Sequence, residues 1–454
     1  MNPIFRAFVS SLTLACALLP LHSQAAERAV KLTLAEPQWS FLIDNSEPAS
    51  TDLAPAERSF ARGLQPLLAA RDYKAVAAQL SERKADDDSA ALSLLRGQIL
   101  LSLDDIKGAQ QALEKTTRLA PQLGSAHRSL GLVYLQQQNY DKARTHLQKA
   151  LELGERNAQL FGQLAFANLQ LGFASGAVAG YQQALFLDAG NKEWARGLLY
   201  ALTRAQALDQ AQALVEELLQ KEPDNAEFWL VRSQIALQQE RPLQALSSLE
   251  SAIALGEKKP ENLSLTAQLH LTSGSPERAV ELLTRPQVLN AQMPVPLQNT
   301  LVQTANWLAQ EQQWSTLKTL LSQAQGKNLP ELAAARLAVS RAHLALHNDN
   351  KGAAEKALRD ALNTDPTLGD ALMALADLLR DQQRHQQAAL YYVRAEALPD
   401  YRERALLGRA QLEINQRNFA AALPLLSQVV RDNPARTDLY ASIRSLRNLV
   451  RNDG

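Results

Sequence analysis

The sequence predicts an all-α protein built as an α-solenoid, in which antiparallel helix pairs stack side by side. Two observations carry this prediction. Small residues recur at a step of 34 residues, which indicates a repeat array whose unit is one helix pair. Aromatic residues make up only 5% of the 454 residues, whereas Leu, Ala and Gln are abundant, and this composition favours helices over a β-sandwich. A chain of this length exceeds one small core, which also favours an array.

Alanine marks the repeat most clearly. Six alanines follow one another at the 34-residue step without slippage, and three more form a second series with the same step. They are Ala109, Ala143, Ala177, Ala211, Ala245 and Ala279, then Ala354, Ala388 and Ala422. Prolines stand twelve residues after four of these alanines, at Pro121, Pro223, Pro366 and Pro434. The residue before a proline avoids the α region, so each proline predicts the end of a second helix.

The segment 124–157 explains why small and aromatic residues occupy fixed places. Two helices of this length cannot bury their apolar faces alone, so each pair must pack on its neighbours. Gly131 on the first helix and Ala143 and Ala150 on the second let the backbones approach closely, and Tyr134 and Leu147 fill the remaining space. The sequence therefore predicts a helix pair with small residues at the helix–helix contact.

This spacing resembles that of the tetratricopeptide repeat family, and segment 124–157 is the best match. The matching residues are His127, Leu130, Gly131, Tyr134, Tyr140, Ala143, Leu147 and Ala150. The resemblance covers most of the mature chain and implies a right-handed superhelix of about eleven helix pairs. It also implies a concave groove lined by repeat positions 2, 5, 9, 12 and 13.

The N-terminal residues predict export. A weakly basic start at Arg6 precedes the apolar run "AFVSSLTLACALLPL", and Ser23–Ala25 supplies the small residues of a cleavage site. We therefore predict a signal peptide over 1–25, a periplasmic location, and no membrane span in the mature chain. Cys16 is the only cysteine, and lipid attachment there is a weaker alternative because Thr13 stands where a lipobox requires Leu.

The remaining sequence divides by its repeat pattern. We expect an extended or flexible arm, an N-terminal repeat array, a proline-rich break or hinge, a C-terminal array, and a capping helix with a tail. These segments are predicted at 26–56, 57–285, 286–297, 298–436 and 437–454, respectively. The break carries three prolines and shifts the register by four residues.

The predicted groove suggests a site for a partner protein. Arg196, Tyr200 and Arg204 fall at i, i+4 and i+8 of one helix, with Phe166 and Arg128 at groove positions of the preceding units. Arginine and aromatic residues anchor interfaces, so these five predict binding of an extended peptide or a partner helix. The alternative is that the arginines pair with acidic neighbours such as Glu193 and Glu227 and only solvate the groove.

A metal site is a second candidate. His343 and His347 are one helical turn apart, and Asp377 and Asp381 take the equivalent positions in the next unit. Such a set could ligate zinc. We favour ordinary surface polar residues instead, and the sequence predicts no metal and no other cofactor.

The predicted function is a non-enzymatic scaffold or adaptor for proteins of a cell-envelope complex. Lys+Arg and Asp+Glu both number 47, so no net charge draws the protein to nucleic acid. No nucleophile elbow, phosphate-binding glycine loop or catalytic cysteine occurs, which argues against an enzyme. An alternative is a component of exopolysaccharide assembly or export that binds polysaccharide or its synthesis machinery. A homo-oligomer is also compatible with the sequence.

Overall fold

The computed structural model describes residues 30–32 and 53–452. The predicted signal peptide, Cys16 and most of the predicted arm lie outside the described residues. The described residues divide into two compact units, one formed by residues 32 and 53–241 and the other by 242–452 together with 30–31.

The first unit consists of consecutive helices that pack as pairs. They are α1 (Arg58–Ala69), α2 (Tyr73–Ser81), α3 (Ala90–Ser102), α4 (Ile106–Leu119), α5 (Gly124–Gln136), α6 (Tyr140–Glu152), α7 (Ala158–Gln170), α8 (Ala174–Leu187), α9 (Lys192–Arg204), α10 (Leu208–Lys221) and α11 (Ala226–Gln238). Two 3-10 turns, Pro55–Glu57 and Ala85–Asp87, precede α1 and α3.

The second unit continues the same arrangement. Its helices are α12 (Pro242–Ala254), α13 (Pro260–Thr272), α14 (Pro276–Leu283), α15 (Val295–Gln310), α16 (Trp314–Ala324), α17 (Glu331–His347), α18 (Lys351–Thr364), α19 (Gly369–Asp381), α20 (His385–Glu396), α21 (Arg402–Asn415), α22 (Phe419–Asp432) and α23 (Leu439–Asn452). Within the described ranges of both units there is no β-strand, and consecutive helices pack together. The α-solenoid class predicted from the sequence is confirmed.

Small residues lie where the two helices of a pair meet. Ala143 and Ala150 of α6 are fully buried, and a Cβ placed on Gly131 of α5 would stand 2.7 Å from the Leu147 side chain. That separation is shorter than real carbon–carbon contacts, so only glycine fits opposite Leu147. The closest approach of α5 and α6 therefore depends on the absence of a side chain at Gly131.

The turn inside each helix pair has one backbone geometry. The second residue after the first helix has a positive φ, and this left-handed backbone conformation terminates the helix. The residues with this conformation include Asp104, Gln138, Gly172 and Gln206 in the first unit and Gly274, Asp349, Gln383 and Arg417 in the second. At Gln138 the turn is closed by a hydrogen bond of 2.9 Å from the Asn139 amide to the Tyr134 carbonyl. Non-glycine residues accept a strained φ here because the whole turn imposes it.

The proline-rich segment after α14 is packed rather than open. Val288, Leu289 and Met293 are buried in the same apolar cluster as Leu301 of α15 and Leu317 of α16. The register shift read from the sequence thus corresponds to a turn-rich connection whose apolar side chains belong to the core of the second unit.

The last helix covers the apolar face of the pair before it. Leu439, Ile443 and Leu446 of α23 are buried against Leu406 of α21 and Leu426 of α22. The opposite face of α23 is solvated, because Arg444 and Arg447 are exposed.

Two histidines form a polar pair in the core of the first unit. The His127 Nε2 lies 3.1 Å from the Pro121 carbonyl, and His127 Nδ1 lies 3.0 Å from His146 Nδ1. A carbonyl only accepts, so the neutral His127 ring carries its proton on Nε2, and its Nδ1 accepts from His146 Nδ1–H. Both rings protonated would place two N–H groups against each other, so the pair cannot hold two positive charges in this geometry.

We expect acid to destabilise the protein through this pair. Burial lowers the pKa of both histidines, His146 being lowered further by His127. Their folded pKa values lie below the ordinary value of about 6.5, so the unfolded chain binds more protons below that pH and stability falls there. Thermal melting should show a lower Tm at about pH 5.5 than at about pH 7.5. A His127→Gln/His146→Gln variant should lose part of that difference, and an unchanged difference would contradict the assignment.

Candidate functional site

Two of the predicted groove residues of α9, Arg196 and Tyr200, contact carboxylates of the protein itself. Arg196 Nη1 lies 3.7 Å from Glu193, and its Nε lies 3.6 Å from Glu227. The Tyr200 hydroxyl donates a 2.8 Å hydrogen bond to the same Glu227, and burial and this carboxylate raise the pKa of Tyr200. The pairing named as the alternative to ligand binding is therefore present at Arg196.

The other three predicted groove residues differ in exposure. Arg128 Nε lies 3.8 Å from Glu155, and both side chains are mostly buried. Phe166 is only 1% exposed and packs edge-on against Tyr140, with ring centroids 6.0 Å apart. Arg204, the last residue of α9, is exposed. Of the five side chains, that of Arg204 is the most open to a partner.

The four metal candidates do not converge. Asp377 accepts hydrogen bonds from Arg380 and Tyr392, and Asp381 forms an ion pair with the same Arg380. The His347 ring stacks on Trp314 with centroids 4.4 Å apart. Over residues 30–32 and 53–452, no group of three or more His, Cys, Asp or Glu side chains could hold a metal ion. Both aspartates therefore pair with Arg380 and form no metal site with His343 and His347.

The second unit contains a polar cavity of about 440 Å³ that crosses three successive helix pairs. Its walls come from α15, α17 and the start of α19, with the loop before α19 and the Tyr401 ring closing one end. The lining residues are Asn299, Val302, Gln303, Asn306, Arg336, Val339, Asp365, Thr367, Leu368, Gly369, Asp370 and Tyr401. Asn299, Arg336 and Asp370 occupy position 2 of successive repeats, a position that the family resemblance assigns to the groove.

Donors and acceptors are both fixed in this cavity. Arg336 Nη1 donates a 3.0 Å hydrogen bond to the Asn299 carboxamide, and the Ser340 hydroxyl donates one of 2.9 Å to Asn306. These bonds hold the side chains in place while the exposed Gln303 carboxamide is left to face solvent. Such a surface can hydrogen-bond both the N–H and the C=O groups of another polypeptide.

Tyr401 and Asp370 form the acidic end of the cavity. Burial and the Asp370 carboxylate raise the pKa of Tyr401 to about 12, so the hydroxyl remains a hydrogen-bond donor at neutral pH. The ring lies directly over Gly369, where an added Cβ would come within 2.2 Å of it. Glycine at the first residue of α19 therefore lets Tyr401 close the cavity.

Sequence reasoning missed several residues of this cavity. Asn306 lies on the groove face by its repeat position, but nothing in the sequence distinguished Asn299, Arg336 and Asp370 as binding residues. The signal that could have found them is the same position rule applied to the units 298–332, 335–368 and 369–402. Tyr401 lies in the 3-10 turn Pro399–Tyr401, outside the groove positions, and no repeat rule indicates it.

The paired helices define a helical-repeat protein. Residues 94–158 and 200–262 match the family model of the tetratricopeptide repeat. These two segments therefore match tetratricopeptide repeats, and the resemblance found in the sequence is confirmed there. Proteins built from these repeats are generally non-catalytic scaffolds that bind other proteins.

One curated relative matches over a short stretch. Cell division cycle protein 27 homolog A of Arabidopsis thaliana is 47% identical over 58 residues, which are 13% of this chain and 8% of that protein. This chain thus spans less than a tenth of the relative's length.

Three solved structures illustrate the structural similarity. YrrB, described as a TPR protein with an unusual peptide-binding site, is 22% identical with a TM-score of 0.37 over 40% of this chain and 93% of its own. MamA is 19% identical with a TM-score of 0.34 over 37% of this chain and 93% of its own. The Cut9–Hcn1 hetero-tetramer is 13% identical with a TM-score of 0.34 over 84% of this chain and 88% of its own.

None of the helices within the described ranges combines the length and the apolar character required to span a bilayer.

Proposed function

We propose that this protein is a periplasmic scaffold that holds an extended segment of a partner protein in the polar cavity of the second unit. The observation that carries the proposal is the cavity of about 440 Å³ lined by groove positions of three successive repeats. Its length across α15, α17 and α19 suits a polypeptide that runs past several helix pairs, and tetratricopeptide repeats commonly bind proteins in this way.

The chemistry of the walls supports an extended polypeptide as the ligand. Asn299, Gln303 and Asn306 lie on one face of α15 and offer carboxamides, which can bond the backbone of a ligand on both its donor and acceptor sides. Val302 and Val339 supply apolar contact between these groups. Binding that relies on backbone groups would tolerate different side chains, which suits an adaptor for an envelope complex.

The predicted groove in the first unit remains part of the proposal. Arg128, Phe166, Arg196, Tyr200 and Arg204 form the predicted wall of this groove, and Arg204 is the exposed side chain through which a partner would make contact. The periplasmic location depends on the signal peptide predicted over 1–25.

Site-specific photocrosslinking tests the position of the partner. We expect Gln303→benzoylphenylalanine to form a defined adduct with one partner in cells, since Gln303 is exposed at the cavity wall. The matched control is Gln386→benzoylphenylalanine, because Gln386 is exposed on α20, a second helix of its pair. A third variant, Arg204→benzoylphenylalanine, examines the predicted groove of the first unit. Equal adducts at 303 and 386 would show that the cavity has no special role.

A side chain that blocks the cavity allows its contribution to partner affinity to be measured. A Gln303→Trp variant should bind the crosslinked partner at least about tenfold more weakly, which is about 1.4 kcal/mol. The expected cause is that the indole occupies the space of the ligand, and Gln386→Trp should bind as the wild type does. Wild-type affinity in the Gln303→Trp variant would refute the cavity as the binding site.

A further inference from the structure

Arg341 of α17 is a charged side chain that forms no ion pair with any of residues 30–32 and 53–452. Its Nε is screened from solvent and has no hydrogen-bond partner. The side chain borders a second cavity, of about 410 Å³, which the loop between α16 and α17 encloses together with Ala334. Gln325, Lys327 and Asn328 of that loop line it, and Lys327 adds a second positive charge at its exposed rim.

No acidic residue of the described ranges neutralises this guanidinium. Burial alone lowers the pKa of Arg341, and no carboxylate acts against that effect. Arg359 of α18 shows the usual case, because a hydrogen bond to Glu355 raises its pKa. The Arg341 guanidinium stays charged near neutral pH, since an arginine pKa lies far above that range. A partly buried charge without a partner destabilises the folded state, so an arginine at this position is expected to have a partner outside the described residues.

Arginines at the equivalent position of other repeats show which kind of partner Arg341 lacks. Arg341 stands at repeat position 7, where buried leucines lie in several units, namely Leu130, Leu164, Leu198 and Leu375. Three other units also carry arginine there, at Arg96, Arg232 and Arg409. The Arg232 guanidinium lies over the Trp229 ring, 5.5 Å from its centroid, whereas Arg96 and Arg409 each pair with a carboxylate of the protein. Arg96 donates to Asp88 over 2.7 Å, and Arg409 pairs with Glu396.

The position of the missing carboxylate can be read from these pairs. Glu396 stands thirteen residues before Arg409, and Asp88 stands eight residues before Arg96. The corresponding residues before Arg341 are Asn328 and Ala333, neither of which carries a charge. Asn328 lines the cavity itself. Neither of the two positions that supply a carboxylate to Arg96 or Arg409 therefore supplies one to Arg341.

We propose that Arg341 is the receptor of a carboxylate from a partner polypeptide, which enters the cavity between the α16–α17 loop and α17. The carboxylate would be an acidic side chain or the carboxyl terminus of the partner, and both offer the two oxygens that match a guanidinium. This contact would add charge recognition to a scaffold, and it rests on the proposed function only in that the ligand is a polypeptide. It uses position 7 rather than the groove positions.

Acetate is the probe for the carboxylate site. Melting of the full mature protein in about 100 mM sodium acetate, against sodium chloride at equal ionic strength, should raise the Tm of the wild type by about 2 °C or more. An Arg341→Leu variant should show no such difference, and it should fold because leucine occupies this repeat position elsewhere. An equal acetate effect in wild type and Arg341→Leu would overturn the proposal.

A built-in carboxylate gives the complementary test. Asn328→Glu places an acid at the position that Glu396 has in its unit, so this variant should melt above the wild type in chloride and lose its response to acetate. The matched variant Asn328→Gln, of the same size but neutral, should keep the response. If Asn328→Glu still responds to acetate as the wild type does, the acetate binds elsewhere and the proposal fails.

Two short peptides then separate the sources of the carboxylate. One has blocked ends and a central glutamate, and the other has a free carboxyl terminus and no acidic side chain. We expect one of them to bind the wild type at least tenfold more tightly than acetate and to lose this advantage in Arg341→Leu. Failure of both would exclude a polypeptide ligand. The Gln303→Trp variant should keep the acetate response, so the outcome here is independent of the groove partner.

Discussion

The Gly197→Ala variant is expected to lose about 3 kcal/mol of stability, although alanine is the better helix former. Gly197 lies in α9, and a Cβ on it would stand 2.3 Å from the Tyr181 ring of α8. Tyr181 is 1% exposed and packs also against Trp194, so its ring has little room to move aside. Helices α8 and α9 must therefore separate, and urea unfolding followed by circular dichroism should show the loss.

Gly63→Ala is the matched control for this prediction. Gly63 lies inside α1 of the same unit, and a Cβ there would meet nothing within 4 Å. Alanine should stabilise that helix by about 0.5–1 kcal/mol, so the two variants should shift the unfolding midpoint in opposite directions. If Gly197→Ala also stabilises, the packing of Tyr181 over α9 is not as described.

The Asp88→Ala variant should destabilise the first unit by about 3 kcal/mol, because it leaves Arg96 charged and unpaired in a mostly buried position. Asp88 is 3% exposed, and Arg96 and Arg83 both lie against its carboxylate, at 2.7 Å and 3.7 Å. The cost is that of an uncompensated charge rather than of a lost contact. Thermal or urea unfolding of the purified variant measures it.

Two further variants decide whether the charge is the cause. Asp87→Ala changes the exposed neighbouring aspartate and should alter stability by no more than about 0.5 kcal/mol. The double variant Asp88→Ala/Arg96→Leu removes both charges and places the leucine that other repeats carry at this position. It should regain most of the stability lost in Asp88→Ala. A double variant as unstable as the single one would mean that Asp88 acts through its size or its backbone.

Repeat periodicity predicted the helical array well because it reports local packing. The close approach at Gly131 and Leu147 and the burial of Ala143 follow from a spacing that is visible in the sequence. The left-handed turn residues were harder to predict from the sequence. Glycine at Gly172 and Gly274 indicates a positive φ by residue type, whereas Gln138, Gln206 and Gln383 take the same conformation although glutamine does not favour it.

Charged residues were harder to interpret, because one side chain can reach several neighbours. Asp87 and Asp88 are adjacent in the sequence, yet Asp88 is buried between two arginines while Asp87 is exposed. Arg196 and Arg204 share a helix face, but only Arg196 pairs with Glu193 and Glu227. The Arg204 side chain is exposed. Their spacing alone could not separate a binding residue from a paired one.

The sequence by itself determined the helix pairs and their small-residue contacts, since both repeat every 34 residues and depend on neighbours nearby in sequence. The tertiary structure decided which charges are neutralised. It thereby decided the polar cavity at Arg336 and Asp370, and that no carboxylate of the described part of the chain pairs with Arg341. Those outcomes depend on distances between residues about a repeat apart, where a shift of a few ångströms makes or breaks an ion pair.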